Sequence, residues 1–267
     1  MTVSLIISTY NSSATLAVCL DSVLRQTRIP DEIIIGDDGS TDDTAMLIED
    51  FAKRCPVPVV HLWQPDEGFR LAMMRNKCIA HSSCDYIIQI DGDVILSRHF
   101  IADHCATALP GHYIKGSRLR LNHTASERIR SRRRYCRWYW PLSTSLLKDR
   151  EKAIRLLRLL TVGLSHRYRS SGTGLRANMS IWRSDLLAIN GYDLHFEGWG
   201  CEDTDLELRL QANGVKTFKL FRSGLVRHLW HREKVNPHLP EAYQYMNDKL
   251  SRGEIVAVQG IRQCQQK

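Results

Sequence analysis

Asp91 and Asp93 stand one residue apart at the end of the apolar run Ile87-Ile88-Gln89-Ile90. A buried strand ending there delivers two hard oxygen ligands to the edge of a sheet, which is where open α/β sheets bind ligands. Carboxylates completed by substrate phosphates are a common way to hold a Mg²⁺-type cation. The simpler reading of Asp-Gly-Asp is a turn leaving a strand. Two more acidic clusters lie at comparable boundaries. Asp37-Asp38 follows Glu32-Ile33-Ile34-Ile35-Gly36, and Glu202-Asp203 opens a helix behind Gly198-Trp199-Gly200. Each cluster alone reads as a cap or a turn. Together, at strand ends and a helix start, they point to a nucleotide–metal site with a separate acid/base group. His228-x-x-His231 adds candidate metal ligands, although a single histidine is more often a surface or core residue.

The elements that must position these residues alternate. Strands are predicted at Val3–Ser8, Glu32–Gly36, Val57–Leu62 and Tyr86–Ile90. Helices are predicted near Ala14–Gln26, after Thr41-Asp42-Asp43 to about Lys53, and over Leu71–His81. That alternation argues an α/β fold with a mostly parallel sheet and crossover helices. A short strand over Ala177–Ile181, a helix over Arg183–Ile189, an Asn190-Gly191 turn and an acidic helix ending at Asn213-Gly214 follow later in the chain.

Composition narrows the possibilities. The 267 residues are 43% hydrophobic, enough to bury a full core. No run approaches the ~20 apolar residues of a membrane span, and Met1–Ser8 reads as a first strand rather than a secretory leader. The eight cysteines are scattered without a Cys-x-x-Cys pair, so they read as reduced cytosolic thiols and a zinc site is not expected. Charge is uneven. Residues 118–169 hold 15 Lys/Arg against three Asp/Glu, while the whole chain carries a net charge of +8. The basicity therefore belongs to one segment, with six arginines over 128–137 running into Tyr135, Trp138, Tyr139 and Trp140. A helical pattern follows over Lys148–Leu164. A polybasic stretch before an amphipathic helix fits attachment to an anionic membrane surface, or a phosphorylated acceptor.

Several motifs together carry a resemblance. Leu5-Ile6-Ile7-Ser8-Thr9-Tyr10-Asn11, Gln26-Thr27, the stretch Glu32–Asp42, Arg75-Asn76 and Asp91-Gly92-Asp93 closely resemble the family 2 glycosyltransferases of GT-A fold. Asn190-Gly191-Tyr192-Asp193-x-x-Phe196-x-Gly198-Trp199-Gly200-x-Glu202-Asp203-x-Asp205-Leu206 resembles a motif of chondroitin-polymerase-like enzymes and β4-galactosyltransferases. The resemblance implies that Thr9, Tyr10, Asn11, Asp37 and Asp38 seat a uridine, with Asp38 on the uracil edge and Arg75 on the nucleotide. It implies Asp93 as a ligand of Mn²⁺ or Mg²⁺, Asp91 near the ribose or the metal's waters, and His231 and His228 as further metal ligands. Asp203 becomes the general base, Glu202 the partner of a sugar hydroxyl and Trp199 part of the acceptor face. The implied reaction is an inverting transfer of a hexose or N-acetylhexosamine from a UDP-sugar to a surface-glycan or glycolipid acceptor. The implied location is the inner face of the cytoplasmic membrane.

On that basis residues 1–117 form a nucleotide-sugar-binding half, 118–169 a basic amphipathic insert, 170–235 a catalytic and acceptor half, and 236–267 a C-terminal tail. The chemistry agrees with these roles. A cation bridging the phosphates stabilises the charge growing on the leaving group, and one carboxylate must take the acceptor's proton from the opposite face. The alternative is an arginine-rich nucleic-acid- or membrane-binding protein with a vestigial nucleotide site. Arginines interleaved with aromatics do bind single strands, but that reading leaves the acidic clusters unexplained, so nucleic acid is not the expected partner. Gly172-x-Gly174-x-x-Ala177 nominally matches a dinucleotide fingerprint but follows no buried strand and is set aside.

Overall fold

A computed structural model describes residues 1–132, 178–198, 200–220, 223–232 and 239–264. Strands β1 (Val3–Thr9), β2 (Glu32–Asp37), β3 (Val59–Trp63) and β4 (Tyr86–Asp91) alternate with helices α1 (Ser13–Val23), α2 (Thr44–Arg54) and α3 (Leu71–His81). β1 pairs in parallel with both β2 and β4, and β2 with β3. Side chains on both faces of β1, β2 and β4 are buried, which explains why these strands read as apolar runs, whereas β3 at the sheet edge is only half-buried and leaves Trp63 exposed. Leu5 and Ile7 pack with Leu16 and Leu20 of α1 and with Ile48 and Phe51 of α2. Ile6 and Ile34 face the other way, onto Met74 and Cys78 of α3. Each such side chain contributes about 1.5–3 kcal/mol on burial.

The chain continues through β5 (Val94–Leu96), α4 (Phe100–Thr107), β6 (His112–Lys115), β7 (Ser117–Arg120) and α5 (His123–Ser131). Beyond the undescribed stretch come β8 (Asn178–Trp182), α6 (Arg183–Ala188), α7 (Glu202–Ala212), β9 (Lys216–Lys219), β10 (Leu225–His228), α8 (Leu239–Ser251) and α9 (Ile261–Cys264). Among the described residues the main sheet has seven strands in the order β3-β2-β1-β4-β8-β6-β9, and a second sheet has the order β5-β10-β7. β8 runs antiparallel to both β4 and β6, so the sheet is mixed on that side.

Sequence periodicity did not mark the second sheet, because β10 pairs antiparallel with β5 across a long separation, with His228 opposite Val94. Within 236–267, expected as a tail, residues 239–264 are packed into the fold. Met246 and Lys249 of α8 are buried, and Ile261 of α9 joins the core beside α3. Gly191 shows how tight that seam is: its φ is +67, and a Cβ there would lie 2.5 Å from Asn76 Oδ1 and from Ile261 Cγ1. The helical pattern over Lys148–Leu164 and most of the basic insert lie outside the described residues. No helix among the described residues is long and apolar enough to cross a membrane.

Candidate active site

The parallel register brings together the residues expected to seat the donor. Thr9 sits opposite Asp37 and Ser8 opposite Asp91, so three strands end side by side. Asn11, in the left-handed region at φ 42, ties the loops after β1 and β2. Its backbone N–H donates to Ser40 Oγ at 2.8 Å, and its Oδ1 accepts from Thr41 N at 2.9 Å. The Tyr10 hydroxyl donates to Asp66 Oδ2 at 2.8 Å. Both carboxylates of the Asp37-Asp38 pair are buried and already hold internal partners. Asp37 accepts from Ser40 N at 2.8 Å and faces His61 Nε2 at 3.2 Å. Asp38 accepts from Gln64 Nε2 at 2.5 Å and Arg70 N at 2.9 Å, and burial raises its carboxyl above the ordinary value. Each oxygen keeps a second lone pair for a ligand. Ser8 Oγ and Thr9 Oγ1, by contrast, are buried without a hydrogen-bond partner.

Asp93 lies just past β4, where β10 crosses beside β5. His228 Nε2 is 3.1 Å and His231 Nε2 3.2 Å from Asp93 Oδ2, and one ligand atom from each of the three residues falls within 4.8 Å of the others. Burial would raise the Asp93 carboxyl, but hydrogen bonds from His228 and His231 outweigh it and hold it well below the ordinary range. Asp93 Oδ1 is buried without a partner. The His231 Nδ1 lies 2.9 Å from Arg232 O. A carbonyl only accepts, so Nδ1 donates there, and Nε2, once it gives up the proton it shares with Asp93, would be the ring's ligand atom. These residues fit a divalent cation. One carboxylate beside two imidazoles suits Mn²⁺ better than Mg²⁺, which takes oxygen ligands.

Arg75 joins this region to the second acidic cluster. It is almost fully buried in α3, with Nη2 3.0 Å from Asp91 Oδ1 and Nη1 2.8 Å from Asp203 Oδ1. Glu202 Oε1 lies 3.8 Å from the same Nη1, and the guanidinium sits 5.3 Å from the centre of the Tyr192 ring. The resemblance gave Arg75 to the nucleotide, yet both terminal nitrogens rest on carboxylates of this chain. Burial raises the Asp203 carboxyl, and Arg75 pulls it back toward ionisation. Glu202 is raised by burial and by the neighbouring Asp203 charge, and its Oε2 accepts from Gly200 N at 2.9 Å. Asp203 keeps 22% of its side chain exposed against 6% for Glu202, so it is the more accessible acid. The loop before α7 runs through left-handed Gly198, Gly200 and Cys201. Trp199 lies outside the described residues.

Sequence reasoning missed the ions that hold this loop. Lys249 Nζ is 2.5 Å from Asp193 Oδ2 and 2.8 Å from Asp205 Oδ1. Arg209 donates to Asp205 Oδ2 at 2.7 Å and to the carbonyls of Ile189 and Gly191 at 3.0 and 2.8 Å. Tyr192, stacked under Arg75, receives a 2.7 Å hydrogen bond from Gln89 Nε2 on its hydroxyl, while its backbone is bracketed by Asn76. The Asn190-Gly191-Tyr192-Asp193 motif was visible, but nothing local named Lys249 as its partner.

Comparison with known proteins adds independent findings. Residues 4–161 match the model of glycosyl transferase family 2, and residues 159–232 that of the N-terminal domain of galactosyltransferase. Validoxylamine A glucosyltransferase of Streptomyces hygroscopicus subsp. limoneus is 27% identical over 79% of this chain and 48% of its own length. Chondroitin synthase of Pasteurella multocida (strain Pm70) is 22% identical over 84% of this chain and 24% of its own. The chain thus spans about half the length, or less, of these curated relatives. The crystal structure of S. aureus TarS 1-349 in complex with UDP-GlcNAc superposes with a TM-score of 0.64 at 16% identity, covering 99% of this chain and 69% of that one. That likeness shows a shared GT-A fold.

Proposed function

The chain belongs to the family 2 glycosyltransferases, and on that premise we propose that it moves a hexose or N-acetylhexosamine from a UDP-sugar to an acceptor hydroxyl, with inversion and with a divalent cation. The observation that carries this reading is the convergence of Asp93, His228 and His231 at the strand ends, with the base candidate Asp203 joined through Arg75 to Asp91 at the end of β4. Support for a uridine nucleotide comes from the S. aureus TarS complex with UDP-GlcNAc, and for a hexose from the glucosyltransferase relative.

In this mechanism Thr9, Tyr10, Asn11 and the Asp37-Asp38 pair seat the nucleoside, and the unpartnered Thr9 hydroxyl is kept for it. Asp93, His228 and His231 would hold Mn²⁺ or, less well matched, Mg²⁺, and the cation would supply positive charge against the leaving diphosphate. Asp91 faces the donor while sharing Arg75 with Asp203. Arg75 fixes Asp203 Oδ1 and favours its ionised form, leaving Oδ2 to take the proton of the acceptor hydroxyl. Glu202 orients a sugar hydroxyl, and Trp199 lines the acceptor face as the resemblance implies. One base and one displacement invert the anomeric centre, with no enzyme nucleophile needed.

The acceptor in this reading is a surface glycan such as lipopolysaccharide, capsule or a lipid-linked oligosaccharide, met at the cytoplasmic membrane face through the basic segment 128–164. The test is a panel of sugar nucleotides screened for nucleotide release with Mn²⁺ and again with EDTA. Release from one UDP-sugar, lost with EDTA, is the expected result. Turnover unaffected by chelation would remove the cation, and turnover restricted to another nucleotide would remove the uridine.

A further inference from the structure

His228 closes β10, but His231 stands beyond the strand end, where no ladder fixes it. The backbone between them is nevertheless held at several points. Leu121 N donates to His228 O at 2.9 Å, and Leu229 N donates to Asp93 O at 2.9 Å. Past that point the partners are side chains of α5. Trp230 N donates to Ser126 Oγ at 2.8 Å, and Arg130 Nη2 donates to Trp230 O. Ser126 is fully buried and passes its own proton to Asn122 O at 2.9 Å. Arg130 is pinned on two further sides, by Thr15 Oγ1 of α1 at 3.2 Å and by Glu127 Oε1 at 2.5 Å. The His123 ring meets the Trp230 ring edge-on at 4.5 Å.

A guanidinium beside a cation site is unfavourable if its charge acts alone. Glu127 offsets that charge, so what Arg130 supplies is geometry: a planar fork reaching a hydroxyl, a carbonyl and a carboxylate at once. We propose that α5, the first helix of the basic segment, is a positioning brace for the cation site, in which Ser126 and Arg130 fix the backbone of Trp230 from both sides and so hold the adjoining His231 against Asp93. Neither residue touches substrate or cation. The proposal rests on the cation reading above. Partners that orient metal ligands from behind commonly alter affinity by about 10–100-fold when removed. The helix has its own anchorage, because Ala125 and Ile129 pack on Val18, Ile95, Leu121 and Leu229, so loss of the Arg130 fork leaves α5 folded.

The experiment measures Mn²⁺ binding by the full chain, with UDP present, from the electron paramagnetic resonance signal of free Mn²⁺, with thermal unfolding in parallel. Asp93→Asn is expected to lose binding. Arg130→Ala and Ser126→Ala are each expected to weaken it at least about tenfold while keeping the wild-type melting transition. Arg130→Lys is expected not to restore it, because an ammonium cannot span the three partners. Wild-type affinity in Arg130→Ala and Ser126→Ala, with Asp93→Asn still defective, overturns the brace and leaves the cation site standing. Full recovery in Arg130→Lys also overturns it, since charge would then suffice, as does a fall in affinity that only follows loss of folded protein. Undiminished binding by Asp93→Asn overturns the cation reading and the brace with it.

Discussion

The two halves of the site, the one proposed to seat the donor and the one proposed to supply the base, are built by different means. On the donor side, main-chain hydrogen bonds do the positioning: β1 between β2 and β4 sets Thr9 beside Asp37 and Ser8 beside Asp91. On the base side, Glu202 and Asp203 follow a left-handed loop held by buried ions. Lys249 bridges Asp193 and Asp205, and Arg209 ties Asp205 to the carbonyls before the loop. A ladder spreads its stabilisation over many bonds, whereas an ion cluster concentrates it in a few groups that cannot lose a partner cheaply. The base side is therefore the more fragile to single substitutions.

The strongest test of that contrast is Lys249→Ala. Removing one partner of a buried ion cluster leaves uncompensated charge and costs about 3–5 kcal/mol, here by exposing Asp193 and Asp205 to each other. Urea unfolding is expected to show that loss, and a change below about 1 kcal/mol would mean the loop is held otherwise. Next in size, Asp203→Asn is expected to cut transfer at least ~10²-fold, about 2.7 kcal/mol in the barrier. Near-normal turnover would pass the role of base to Glu202.

A subtler effect concerns pH. The Asp203 carboxyl is raised by burial, and in its proposed role as base it works only when ionised. Activity is therefore expected to fall, as pH drops, at a value above the ~3.9 of an ordinary aspartate. Arg75→Gln removes the charge that favours ionisation, so its acid limb is expected to move higher still. An acid limb at or below ~4 in the unaltered protein would contradict the raised carboxyl. The smallest effect on the donor side is expected from the basic segment. Serine in place of Arg132, Arg133 and Arg134, with the bracing Arg130 left intact, is expected to leave UDP affinity within about twofold. Sedimentation with anionic liposomes is expected to fall, each arginine near such a surface contributing about 1 kcal/mol. Unchanged sedimentation would leave that segment without a membrane role.

The same contrast explains what could be read from the sequence. Strands β1, β2 and β4 were legible because both their faces are buried and their residues run apolar, while the half-buried edge strand β3 was legible from its β-branched residues. The place of Asp91 and Asp93 at a strand end was legible because two carboxylates closing an apolar run add nothing to the core. Glu202-Asp203 was legible because acids favour a helix start. The pairing of β10 with β5 was not legible. It joins His228 to Val94 through main-chain bonds between distant segments, and neither segment advertises the other. Lys249 was hidden for a different reason. A lysine on a mostly polar helix reads as surface, and only the fold shows it 1% exposed between two aspartates.

The most direct test of the account is a calorimetric titration of UDP with Mn²⁺ into Asp93→Asn and Asp203→Asn, compared with the unaltered chain. Asparagine at 203 can still accept from Arg75, so that variant is expected to bind the donor nucleotide as the parent does, while Asp93→Asn loses metal-dependent binding. Wild-type affinity in a folded Asp93→Asn protein, or collapsed affinity in Asp203→Asn, would contradict the division of the cleft into a metal-bearing donor side and a separate base.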